Sequence, residues 1–219
     1  MTDTSLSATL VLRRFKIAQK SFVRVKRLPL YVFLKELILN PRNIGAACPS
    51  SKKLAKRIAS FVPLANDGYV VELGAGTGVV TAALLEHGIH PNRLIAVEKS
   101  KHLVELLRKK FPQITIIHGD AAALSSLLLT TLNFNILPIT TIVSSLPLRS
   151  LPQHVVKQIS QQIEQIITLN GRLIQFTYDI RPSKSPSFHM LTNSQSKMVW
   201  RNLPPARIHF YQKTTSTML

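Results

Sequence analysis

Cysteine occurs once in the 219 residues, at Cys48, so no intrachain disulfide is possible. The residue reads as a small apolar side chain in a protein suited to a reducing cytosol. Acidic residues are also scarce: 10 Asp and Glu stand against 28 Lys and Arg, a formal net charge of +18. Charged residues of both signs reach only 17% against 45% hydrophobic, which excludes a disordered polyelectrolyte and requires a folded chain with a local excess of charge. Aromatics are held to 6%, leaving little surface for stacking on nucleic-acid bases. No apolar run of about 18 residues is present, so no segment is expected to span a bilayer. The start of the chain lacks the succession of a secretory signal, while its basic, acid-poor character overlaps with that of a mitochondrial presequence. His87 and His90 have no second pair or cysteine to complete a zinc site, and no metal is expected.

What is present begins with charge. The first 60 residues hold thirteen Lys and Arg against only Asp3 and Glu36. Such a block is drawn to a polyanion, either nucleic acid or an anionic lipid surface. Over residues 11–28, Arg13, Lys16, Lys20, Arg24 and Arg27 recur every three or four positions, and Val11, Phe15, Ala18, Phe22 and Val25 share the opposite face. Pro29 ends the pattern. The spacing predicts a basic amphipathic helix. It either packs Phe15 and Phe22 on the core or lies on anionic lipid, with the phenylalanines at the acyl boundary and the cations at the headgroups. The remaining length fits one well-filled domain, and the expected division is a basic amphipathic helix over residues 1–35 and a single domain over 36–219.

The stretch VVELGAGTG, residues 70–78, is a short buried-strand pattern running into Gly74, Ala75, Gly76 and Gly78. Glycines there let the backbone turn sharply and let a ligand approach it. Residues 81–85 resume as a helix. Residues 94–97 form a second apolar strand ending at Glu98, where a carboxylate takes both hydroxyls of a ribose, with Lys99 beside it. The stretch ITIIHGDA predicts a third strand ending at Asp120 and Ala121, placed to read an adenine amine. Glu72 would repel a pyrophosphate, which argues against a dinucleotide and for a ligand carrying positive charge. S-adenosylmethionine, with its ribose, adenine, ammonium and sulfonium, meets each requirement.

With these elements together the chain resembles the class I S-adenosylmethionine-dependent methyltransferases over residues 68–178. The resemblance implies an α/β, Rossmann-like fold: a mixed, mostly parallel seven-stranded sheet with helices on both faces. The fourth strand, TTIVSSLPL over residues 140–148, decides the acceptor. Adenine N6 methyltransferases carry an Asn or Asp and an aromatic in this position, whereas here Ser144, Ser145, Leu146, Pro147 and Leu148 follow one another. That region, with NPRNIGAACPSS, LIQFTY and NLPPARIHFYQK, resembles the bacterial phospholipid N-methyltransferases over residues 36–213, enzymes similar in their core to ribosomal RNA adenine dimethyltransferases. The resemblance implies methylation of phosphatidylethanolamine or its methylated derivatives towards phosphatidylcholine. It also implies a monomer docked by its basic helix on the cytoplasmic face of a bacterial plasma membrane, with no nucleic-acid partner.

In that reading Glu72, Gly74, Ala75, Gly76, Gly78, Glu98, Lys99, Asp120, Ala121 and Ser144 hold S-adenosylmethionine, released as S-adenosylhomocysteine. Pro49, Ser50 and Ser51 close over it or, alternatively, Ser50 or Ser51 caps the following helix. Ser144 or Ser145 with Tyr178 receives the amine, Leu146 and Pro147 line its pocket, and Arg181 or Arg149 pairs with the lipid phosphate. Tyr178 as a core aromatic and the arginines as solvated surface charges are the alternatives. The loop over residues 181–187 reads as an exposed turn and a candidate substrate lid. An RNA base methyltransferase and a non-catalytic cofactor-binding module remain the competing readings.

Overall fold

The computed structural model describes residues 48–65, 68–132, 138–177, 188–200 and 205–214, with the backbone alone for residues 48–51 and 150. All belong to the compact unit Arg42–Leu219. The expected helix over residues 11–28, Tyr178, Arg181 and the loop over residues 181–187 lie outside the described residues.

In chain order the elements are α1 (Cys48–Ala59), β1 (Tyr69–Leu73), α2 (Val79–His87), β2 (Leu94–Glu98), α3 (Lys101–Lys110), β3 (Thr115–His118), α4 (Leu124–Leu132), β4 (Ile139–Ser144), α5 (Gln153–Ile166), β5 (Ile167–Thr177), β6 (Leu191–Val199) and β7 (Ala206–Lys213). The strands form one seven-stranded sheet in the order β3-β2-β1-β4-β5-β7-β6. The first five are parallel, while β7 runs antiparallel to both β5 and β6.

The strand sequences explain this arrangement. LIAVE in β2 is buried along its whole length, and β1 is buried from its second residue on. A strand buried on both faces needs helices above and below it, which is what parallel crossovers supply. Successive β1 residues accordingly feed different cores. Val70 joins Leu54 and Ile58 of α1, Leu84 of α2 and Leu107 of α3 on one face, while Val71 and Leu73 join Leu124 and Leu128 of α4 and Ile159 and Ile163 of α5 on the other. In α3 the buried Leu103, Val104 and Leu107 recur at helical spacing, leaving its charged residues outside.

Several boundaries differ from expectation. Helix α1 begins at Cys48, so Pro49, Ser50 and Ser51 lie in its first turn, and the N-cap role considered for the two serines does not hold because helical backbone has already begun. Strand β3 ends at His118; Asp120 instead caps a 3-10 turn, its side chain accepting from Ala122 N. Strand β4 stops at Ser144, where Ser145 N donates to Leu73 O and the chain leaves the sheet through a turn.

Candidate active site

The carboxyl ends of β1, β2, β4 and β5 meet at one edge of the sheet, where the order reverses between β1 and β4; open α/β sheets bind their ligands there. Gly74, Gly76 and Gly78 all have positive φ, at +72, +58 and +80°, for three different reasons. A Cβ on Gly78 would collide with Phe111, and one on Gly74 would stand 2.9 Å from Leu146 Cδ2. On Gly76 it would meet nothing nearer than Gly74 O at 4.0 Å. Gly78 is therefore glycine for packing, Gly74 lets the turn after β4 close over the turn after β1, and Gly76 leaves open space for a ligand. The turn is also held by Gly74 N donating to Val97 O (2.9 Å), Gly78 N to Ala75 O (2.9 Å) and Lys110 Nζ to Thr77 O (3.2 Å).

Glu98 is 9% exposed and fixed from two sides: Gly76 N donates to Oε2 and Ser100 N to Oε1, each at 2.9 Å. Each oxygen keeps acceptor capacity for a hydroxyl. Asp120 accepts from Ala122 N at 3.0 Å and pairs with Lys99 Nζ at 2.7 Å. The backbone N–H first, then the lysine, hold its carboxyl below the usual range.

Glu72 differs from both. It is fully buried, and Oε2 accepts from Thr81 Oγ1 at 2.6 Å, but Oε1 has no partner. Desolvation, opposed by the Thr81 bonds and aided by nearby Glu98, pushes its pKa up to about 8. A buried carboxyl oxygen without a donor, at the root of the glycine turn, suits a cationic group. With the open face at Gly76 and the fixed carboxylate of Glu98, it fits the ammonium and ribose of S-adenosylmethionine.

At the end of β4 the structure separates the two serines. Ser144 is fully buried and its Oγ accepts from Leu146 N at 3.4 Å, closing the turn. Ser145 Oγ is buried without a partner. Across four strands Ser144, Gln175, His209 and Ser196 stand in register, a polar row invisible to a linear reading because β4, β5, β7 and β6 are far apart in sequence. Gln175 Nε2 donates to Leu146 O and Phe176 O, both at 3.0 Å. His209 bonds Ser196 Oγ at 2.9 Å; burial first, then the charges of Arg207 and Arg149, keep its imidazole below the usual range. Arg149 follows Leu148 in the 3-10 turn after Pro147, half-buried. Period and motif did not single out Gln175, His209 or Lys110. The one available signal was a glutamine inside the apolar strand LIQFT.

A mixed, mostly parallel sheet of order 3-2-1-4-5-7-6 with this turn and these carboxylates defines a class I S-adenosylmethionine-dependent methyltransferase. Its solved neighbours share that fold. The N-methyltransferase NodS from Bradyrhizobium japonicum, in complex with S-adenosyl-L-homocysteine, superposes with a TM-score of 0.58 at 11% identity over 84% of this chain and 97% of that one. A TehB-like S-adenosylmethionine-dependent methyltransferase from Corynebacterium glutamicum gives 0.57 at 16% identity over 79% and 94%. The family model for ribosomal RNA adenine dimethylases matches residues 45–174, more than half of the sequence, and the chain belongs to that family. Among curated relatives, the ornithine lipid N-methyltransferase of Singulisphaera acidiphila is 28% identical over 186 residues, 82% of this chain and 94% of its own length. The ribosomal RNA small subunit methyltransferase A of Geobacter sulfurreducens is 34% identical over 82 residues, 36% of this chain and 29% of its own.

Among the described residues no helix is long and apolar enough to cross a membrane, and no cluster of three His, Cys, Asp or Glu is placed to hold a metal.

Proposed function

We propose that this methyltransferase acts on the amine of a membrane-lipid headgroup: phosphatidylethanolamine or its methylated derivatives, towards phosphatidylcholine, at an anionic surface. The observation that carries the reading is the extent of the likeness. The lipid N-methyltransferase aligns over nearly its whole length, whereas the ribosomal RNA relative aligns over less than a third of its own. The turn after β4 agrees, since Ser145-Leu146-Pro147-Leu148 offers neither the amide nor the aromatic of a base-methylating site. The rim of the domain also suits a lipid surface. Trp200 is 70% exposed just after β6, on the same edge as the carboxyl ends of the parallel strands, and Lys197, three residues before it, stands with Arg57 over the Phe61 ring. An exposed tryptophan close to a lysine in sequence suits an interfacial contact.

S-adenosylmethionine supplies an electrophilic methyl on a sulfonium; its transfer to a neutral amine leaves S-adenosylhomocysteine and one proton for each N–H replaced, and none when a tertiary amine becomes quaternary. The protein's part is alignment and exclusion of water. Glu72, Gly76, Glu98 and Asp120 would hold the cofactor, while Ser145, Leu146 and Pro147 face the amine and Arg149 or Arg181 its headgroup anion. Tyr178, next after β5, would stack on the increasingly alkylated nitrogen. The ornithine lipid amine is the second candidate, favoured by the near full-length relative.

The test is incubation with radiolabelled S-adenosylmethionine and, separately, phosphatidylethanolamine/phosphatidylglycerol vesicles, ornithine-lipid vesicles and ribosomal RNA, followed by organic extraction. Label in the organic phase as methylated headgroups is expected. Label confined to RNA would overturn the lipid reading.

A further inference from the structure

We propose that Gln175 and Ser145 position the acceptor amine through its N–H bonds, so that the site favours amines in proportion to the hydrogens they still carry. This rests on the amine-acceptor reading above and extends it to the degree of methylation.

The orientation of Gln175 is settled by its surroundings. Its Nε2 lies 3.0 Å from two carbonyl oxygens, Leu146 O and Phe176 O, so a flipped amide would set oxygen against oxygen. Oε1 is thereby fixed as an acceptor, and it is buried with no partner in a residue 4% exposed. Ser145 Oγ, in the turn whose next carbonyl Gln175 holds, is likewise buried and unpartnered. A buried acceptor without a donor is costly, and two on neighbouring strands, one just after β4 and one near the end of β5, mark a place where a ligand brings donors. Leu146, whose carbonyl Gln175 holds and which follows Ser145, packs on Gly74 of the cofactor turn.

A neutral primary amine has two N–H bonds and one lone pair. When two acceptor oxygens take the hydrogens, the lone pair is left pointing in the remaining direction, which attack on the cofactor methyl requires. Each transfer forms an N–C bond and breaks the cofactor's S–C bond; a primary or secondary amine then sheds one proton to water, whereas a tertiary amine becomes a quaternary ammonium and sheds none. A primary amine therefore engages both oxygens, a monomethylated amine one, and a dimethylated amine neither.

The experiment compares wild type, Ser145→Ala and Gln175→Leu on vesicles containing phosphatidylethanolamine, its monomethyl or its dimethyl derivative, with cofactor affinity measured calorimetrically in parallel. Loss of one net hydrogen bond predicts a fall in kcat/KM of about fivefold to tenfold on the unmethylated lipid. A smaller fall is expected on the monomethyl lipid and none on the dimethyl lipid. A purely structural role would lower all three alike, and that result, or no change on any, overturns the proposal. Ser145→Ala carries the test even if Gln175→Leu, which also loses the Nε2 bonds, fails to fold. No lipid product from wild type, with label in ribosomal RNA, would instead overturn the lipid reading. The same comparison then runs on mono- and dimethylation of adenine N6, and absence of any product refutes both.

Discussion

Glu72 couples cofactor binding to a proton. Burial holds its carboxyl pKa at about 8, against an ordinary value of 4.5. The folded state therefore keeps a proton that the unfolded chain releases. This contribution to stability is full below about 4.5 and is lost as pH rises through 8. A cationic group bound against Oε1 reverses the balance by favouring the carboxylate. Calorimetry at pH 7 in buffers of different ionisation enthalpy should show a proton released on cofactor binding to wild type and none from this site in Glu72→Gln. Equal proton release in both would remove Glu72 from the cofactor site. The glycines offer a second contrast. Gly76→Val meets open space in the protein and should abolish cofactor binding while leaving a folded domain, though strained by its φ of +58°. Gly78→Ala drives a methyl into Phe111 and should chiefly lower Tm. Circular-dichroism melts beside calorimetric titrations distinguish the two.

At the scale of elements, the strand, glycine turn and helix proposed to hold the cofactor were legible in the sequence because they are local. Strand β1, the glycine turn and α2 are contiguous, and Glu98 and Asp120 each stand at or just past the end of an apolar run. The strand ends were misplaced by one to four residues because apolar pattern does not mark where a turn bond takes over, as Ser145 N does with Leu73 O. The polar row that the proposal assigns to the acceptor was not legible. It is made by register between β4, β5, β7 and β6, and no linear period connects Ser144 to Gln175 or Gln175 to His209. The exposed end of β6 was missed for the same reason: only the antiparallel β7 brings Trp200 to the edge used by the parallel strands. Trp200 is the single tryptophan of the chain, so its fluorescence reports on that edge alone. Addition of phosphatidylglycerol-containing vesicles should shift its emission to the blue. An unchanged spectrum, with protein co-sedimenting, would place the docking surface elsewhere.

At the scale of the whole molecule the net charge of +18 is unevenly spent along the sequence, with thirteen of the cations in the first 60 residues. Within them the five residues Arg13, Lys16, Lys20, Arg24 and Arg27 share one face of the expected helix, opposite Phe15 and Phe22. Near an anionic leaflet each cation contributes about 1 kcal/mol, so five in line add several kcal/mol to whatever apolar area is buried. The electrostatic part decays over a Debye length of about 8 Å at physiological salt, whereas the apolar part does not. Two measurements follow from that difference. Vesicle co-sedimentation should weaken steeply as salt is raised, and replacing the five residues by glutamate should abolish it while leaving cofactor affinity unchanged, because none of the five is among the residues proposed to hold the cofactor. Phe15→Ser with Phe22→Ser should weaken binding by a factor that salt does not alter. If the five-fold charge reversal left co-sedimentation intact, the basic segment would have to serve another polyanion, and protection of ribosomal RNA by wild type but not by the reversed variant would identify it.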